Sequence, residues 1–274
     1  MMAGQGVERK KEIKARSIIP GKQGWKTVGW VVLLCVWVFA AVVVSQLFVG
    51  WMMFLILRER FDEPMWTSVY SALAYALALV LAVVVPMRWK MSWSLKVKSA
   101  GGEVRKKGAK AVVTPTRELL GLRDTPTWTD IGLAPIGYVA GTLLAAGLVW
   151  VFSQFAWFDA GEAQNLGYNF YMCGGERAVA FIATVVVAPV VEEVIFRGWL
   201  YGKLRTRLSA TIAVLVVSVL FGLVHLQWNV GVNVFALSVV LCGLREITGT
   251  IWAGILVHML KNGVAFYLVY VLGA

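Results

Sequence analysis

Long apolar runs alternate with short polar interruptions along this chain, and the run lengths indicate the fold. Apolar stretches occupy about residues 28–57, 65–87, 134–157, 177–201, 209–226, 231–246 and 251–272. A helix needs roughly 20 residues to cross the hydrocarbon of a bilayer. In lipid every backbone N–H and C=O must be satisfied inside the segment, which a helix achieves alone. The pattern predicts an all-α fold, a polytopic transmembrane helix bundle of about seven spans, with six to eight compatible with the runs. The first run exceeds one crossing and is expected to tilt or project. It is also too long for a secretory signal core and has no convincing cleavage site, so it reads as a retained span. The 231–246 run is short and is a candidate for a broken or re-entrant segment.

The runs divide the chain into a basic tail (1–27), two N-terminal helices (28–87), a basic linker (88–132) and a helical bundle (133–274). Within the linker, Trp89, Met91, Trp93, Leu95 and Val97 alternate with polar residues. That period of two suits an extended segment, so a β-hairpin at the membrane interface stands beside the alternative of a plain basic linker. No internal repeat is found.

Composition strengthens the membrane reading: 59% of residues are hydrophobic and 15% charged, against about a quarter charged in soluble domains. The net charge of +11 raises nucleic acid as a partner, but the charges are in the wrong places. Seven of the 26 Lys and Arg lie in residues 1–26 and ten more in 88–132, flanking spans. Basic flanks match the positive-inside bias and anionic headgroups, so membrane lipid is the expected partner and nucleic acid is not. The segment 158–176 holds Asp159, Glu162 and Glu176 without Lys or Arg. The alternation predicts an integral protein of the plasma (cytoplasmic) membrane with its N-terminus in the cytoplasm. Cys35, Cys173 and Cys242 form no CxxC pair, so no disulfide framework or zinc knuckle follows.

Ionisable groups inside a span mark function, because each costs ~2.5–3.5 kcal/mol at mid-bilayer on insertion scales. Here they are Glu192, Glu193 and Arg197 in one span, His225 in the next, and His258, Lys261 and Asn262 in the last. Both histidines of the chain are in this set. Glu193 and Arg197 are spaced i,i+4 and can pair on one helix face. Glu192 is rotated about 100° away and needs another partner. Phe221 with His225, and His258 with Asn262, repeat the i,i+4 spacing. One carboxylate, two imidazoles and an amide can thus converge from three helices. Glu192 can take a proton from water with His225 orienting it, while His258 and Asn262 polarise a carbonyl. Lys261 reads as a snorkelling or ion-paired residue, Arg245 and Glu246 as residues that cap and pair at a helix end, and Thr248-Gly249-Thr250 as a helix break. Neither Gly-x-Ser-x-Gly nor His-Glu-x-x-His is present.

Three stretches taken in order resemble a known family. Ala188-Pro-Val-Val-Glu-Glu-Val-Ile-Phe-Arg-Gly resembles the Glu-Glu-x-x-x-Arg motif of the type II CAAX prenyl endopeptidase and bacteriocin-processing (Abi) family. Leu220-Phe-Gly-Leu-Val-His-Leu resembles its Phe-x-x-x-His motif, and the stretch from Arg245 to Asn262 resembles its third block, ending His-x-x-x-Asn. The resemblance covers about residues 177–266. It implies an intramembrane endopeptidase acting on a membrane-associated peptide or protein, lipidated or not. Glu192 would be the water-activating base with His225 beside it, and His258 and Asn262 the oxyanion-side pair. Glu193, Arg197 and Phe221 would be supporting residues. No cofactor is expected; the minority alternative is zinc on Glu192, His225 and His258. Two other function classes compete: a non-catalytic immunity or scaffold protein of the same fold, and an ion or solute transporter.

Overall fold

The computed structural model describes residues 22–58, 63–88, 117, 119–122, 125–161, 168 and 171–273. The basic tail up to residue 21, and residues 89–98 of the candidate hairpin, lie outside the described residues. Among the described residues seven long helical rods follow in order: α1 (Lys22–Leu57), α2 (Pro64–Leu79, continued to Arg88), α3 (Trp128–Phe152), α4 (Gly174–Phe181, continued to Leu204), α5 (Ala210–Leu223), α6 (Trp228–Thr248) and α7 (Trp252–Tyr267, continued to Leu272). Among the described residues there is no strand. Six of the rods are long and apolar enough to cross a membrane, and α5 is a shorter apolar helix. The protein is an integral membrane protein.

Two expected boundaries move, for local reasons. Helix α3 starts six residues ahead of its apolar run. Thr127 and Asp130 form a capping box there, with the Thr127 N–H donating to Asp130 Oδ2 at 2.8 Å and the Asp130 N–H to Thr127 Oγ1 at 3.3 Å. The 231–246 run is not broken: α6 is continuous over 21 residues. Its first turn contains Asn229, whose carboxamide is buried in protein, so hydropathy under-reads its start. The short element is α5. At 14 residues and ~1.5 Å per residue it spans about 21 Å, less than the hydrocarbon thickness.

Helices α2 and α4 carry π-type turns at Val80–Val84 and Ile182–Val187. A proline follows each, Pro86 and Pro189. Proline lacks an N–H and crowds the carbonyl four residues back, and the wider i→i+5 turn accommodates this without breaking the rod. Helix α4 continues through a third π-type turn at Val194–Leu200. It forms the centre of the bundle: Ile195, Phe196, Trp199 and Leu200 are buried in one cluster with Phe221 and Val217 of α5. Apolar side chains on α1 and α3, such as Leu47 and Leu143, face outward, where lipid is the solvent. Where α5 ends against the start of α6, Gly222 meets Gly231. A Cβ on Gly222 would stand 2.9 Å from the Gly231 carbonyl oxygen, so small residues set this crossing.

Candidate active site

The Glu-Glu pair sits in the six-residue α-helical stretch Ala188–Glu193, between two π-type turns of α4. Both Glu193 and Arg197 are fully buried, and an Arg197 Nη1–H donates to Glu193 Oε1 at 2.9 Å. The guanidinium also lies over the Phe221 ring, 4.3 Å from its centroid. A desolvated guanidinium is stabilised by both contacts. This is the pairing the spacing predicts. The second oxygen, Glu193 Oε2, has no hydrogen-bond partner among the described residues. It lies against Gly254, where a Cβ would come within 3.1 Å of it.

Glu192 finds its separate partners elsewhere. The Tyr75 hydroxyl of α2 donates to Glu192 Oε1 at 2.7 Å. The other oxygen, Oε2, stands 3.6 Å from His258 Nε2. Sequence reading missed Tyr75: a tyrosine in an apolar span is ordinarily an interfacial residue, and no spacing connects α2 to α4.

His258 is buried and spans both carboxylates. Its Nδ1 lies 3.0 Å from Glu193 Oε1. A carboxylate only accepts, so Nδ1 carries the hydrogen, and in the neutral ring the free lone pair is on Nε2, facing Glu192. His225 repeats the arrangement: Nδ1 lies 2.8 Å from the Phe221 carbonyl, so it donates there and leaves Nε2 as the acceptor. The Phe221 ring packs at 5.1 Å from the His225 ring and 5.9 Å from that of His258, each edge-on.

His225 lies just past the C-terminal end of the short α5. After Leu223 the chain turns tightly, with Leu226 at φ 57° and Gln227 extended, and α6 begins at Trp228. His225 therefore lies within the bundle, in electrostatic range of Glu192, His258 and Lys261. Irregular backbone at membrane depth is tolerated where protein surrounds it.

Asn262 differs from expectation. Its Nδ2 donates to the Thr184 carbonyl at 3.0 Å. In the π-type turn the Ala188 N–H bonds to the Ala183 carbonyl, and Pro189 has no N–H to offer. Thr184 thus loses both usual helical donors, and Asn262 replaces them. The expected His258–Asn262 donor pair is already engaged: His258 through Nδ1 with Glu193, and Asn262 through one amide hydrogen with Thr184.

Lys261 is half-buried. Among the described residues no carboxylate stands within ion-pair distance of it. At the bundle end, Arg245 donates to the Gly249 carbonyl, while Glu246 accepts from Arg205 and Tyr201. Arg245 and Glu246 thus cap and brace that end. Gly249, at φ 71°, terminates α6 as expected of a helix break.

Glu192, His225 and His258 have the donor types of a zinc site. Their placement does not fit one: among the described residues no three His, Cys, Asp or Glu side chains converge to hold a metal ion.

Residues 175–264 match the family model described as type II CAAX prenyl endopeptidase Rce1-like. The matched segment covers most of α4–α7. All three motif blocks fall inside the matched segment, and α1–α3 lie outside it. A Bacillus subtilis (strain 168) protein named "Putative membrane peptidase YdiL" is 28% identical over 164 residues, covering 53% of this chain and 63% of that protein. The chain thus matches under two thirds of that relative's length. No solved structure matches.

Proposed function

We propose that the protein is an intramembrane endopeptidase that hydrolyses a peptide bond of a membrane-associated protein or peptide with water activated by Glu192. The observation that carries this reading is the division of labour between the two carboxylates. Glu193 is consumed by Arg197 and His258, whereas Glu192 is oriented by Tyr75 and keeps Oε2 turned toward an imidazole lone pair. Two acceptors facing each other across 3.6 Å suit a water that donates to one or both.

In this reading Glu192 takes a proton as the water oxygen bonds to the scissile carbonyl carbon, and the carbonyl π pair moves onto oxygen. Collapse of that tetrahedral species breaks the C–N bond, and the Glu192 proton passes to the leaving amine. His225 and His258, as Nε2 acceptors, hold the water side. Asn262 retains one amide hydrogen for the carbonyl. The Rce1-like match and the membrane-peptidase relative support a peptide substrate, and the family description extends the candidates to prenylated CAAX proteins. The basic tail and linker support an N-terminus on the cytoplasmic side of the plasma membrane.

The test is cleavage of a panel of prenylated and unmodified membrane-anchored peptides by protein in liposomes, with and without a zinc chelator. Cleavage that ignores the chelator supports the glutamate mechanism. Loss with chelator and recovery with zinc moves Glu192, His225 and His258 into a metal site. Failure to cut any peptide favours a non-catalytic scaffold.

A further inference from the structure

We propose that a groove between the start of α4 and the end of α7 binds a phospholipid with an anionic headgroup, its phosphodiester on Arg177 and an acyl chain along Phe181, Phe266 and Val271. The groove lies at the opposite end of these helices from the Arg205–Glu246 brace. Its occupant does not depend on the peptidase reading.

One wall is a single face of α4: Gly174, Arg177, Ala178 and Phe181 stand at i, i+3, i+4 and i+7. Phe266, Tyr267 and Val271 of α7 form the other, and the cavity between them holds about 290 Å³. The Phe181 and Phe266 rings meet edge-on, with centroids 5.5 Å apart, and join the two walls. Phe181, Tyr267 and Val271 remain 42%, 53% and 42% exposed. The groove therefore opens away from the bundle, on the side where lipid is the solvent. Among the described residues a Cβ on Gly174 would meet nothing within 4 Å, so the mouth stays open beside the first turn.

Arg177 is the charged residue of this lining, and its charge is unmet. Its Nη2–H donates to the Met172 carbonyl at 3.3 Å. Its Nε–H is buried and has no acceptor among the described residues. Among them no carboxylate stands within ion-pair distance. The adjacent Glu176 is engaged in capping, its Oε2 accepting the Cys173 N–H at 2.9 Å. A cation in the first turn also faces the positive end of the helix dipole, and a buried donor without an acceptor is costly. An anion in the groove relieves both, and a phosphodiester matches the guanidinium fork. Phe181 lies one helical turn deeper than Arg177, about 6 Å at 1.5 Å per residue. The charge thus sits at headgroup level with an apolar wall below it. Free phosphate would leave that wall bare, and an uncharged chain would leave Arg177 unmet; a phospholipid satisfies both.

The test offers the purified full chain in detergent an equimolar mixture of phosphatidylglycerol and phosphatidylcholine with the same acyl chains, and counts retained lipid by native mass spectrometry. Wild type is expected to retain phosphatidylglycerol in preference, and R177Q to lose about tenfold of that preference. R177K, which keeps the charge without the fork, should keep part of it. A178L keeps Arg177 but fills the groove, and should lose the preference as R177Q does. K203Q, at the other end of α4, should match wild type. Phosphatidylglycerol should also raise the melting temperature of wild type more than that of R177Q. Equal retention of the two lipids by wild type, an unchanged preference in R177Q, or the same loss in K203Q would each overturn the assignment. Displacement of the lipid by inorganic phosphate would overturn it in favour of a free-anion site. Should R177Q fail to fold, A178L and R177K carry the same comparison.

Discussion

Asn262 of α7 donates its amide hydrogen to the Thr184 carbonyl of α4 at 3.0 Å, closing a gap that Pro189 and the π-type turn before it leave in the helix ladder. The motif asparagine is therefore also a structural tie between two spans. We expect Asn262→Ala to destabilise the protein by ~0.6–2 kcal/mol, the range for interhelical bonds in membranes, and to lower activity by about tenfold. Thermal unfolding in detergent and a cleavage assay on the same preparation check both. Pro189→Ala, which restores a backbone N–H, should return part of the stability in the double variant.

Removing one partner of the Glu193–Arg197 pair leaves a buried charge uncompensated. Arg197→Met should cost ~3–5 kcal/mol and abolish folded yield or activity together. The double variant Glu193→Gln/Arg197→Met should unfold at a higher temperature than Arg197→Met alone. Equal melting temperatures for the two would show that the pair is not the stabilising unit.

Tyr75 has one visible task, the 2.7 Å bond to Glu192. Tyr75→Phe keeps the ring and removes the donor. Such a bond to a charged acceptor contributes ~1.5–3 kcal/mol to stability, so the melting temperature should fall, and kcat/KM should fall with it as Glu192 loses the group that orients it. A wild-type rate in Tyr75→Phe would remove the phenol from the site's chemistry.

The Gly222–Gly231 contact sets where α5 stops and hence where His225 sits. Gly222→Val would drive a side chain against the Gly231 carbonyl, push α5 from α6 and move the imidazole away from Glu192. Activity should fall at least about tenfold. Gly243→Ala, on the same helix pair but open at its Cβ, should leave activity intact.

The bundle was legible because lipid makes one demand on every span, continuous apolar helix, and hydropathy reads that demand directly. The Glu193–Arg197 pair was legible because i,i+4 geometry is local. Elements decided by tertiary context were not. Helix α6 begins with Asn229 buried in protein, so its true start is polar in sequence. Tyr75 reaches Glu192 from a helix more than 100 positions away. The His258 connection to Glu193 and the diversion of Asn262 to Thr184 depend on how α7 lies against α4 and on a π-type turn, neither of which has a period to detect.

The most direct measurement is the rate at which purified wild type and Glu192→Gln, matched for melting temperature and reconstituted in the same liposomes, cut a membrane-anchored peptide. The account predicts cleavage by the wild type and a rate at background for Glu192→Gln. Comparable cleavage by both would place the chemistry elsewhere and contradict the central claim.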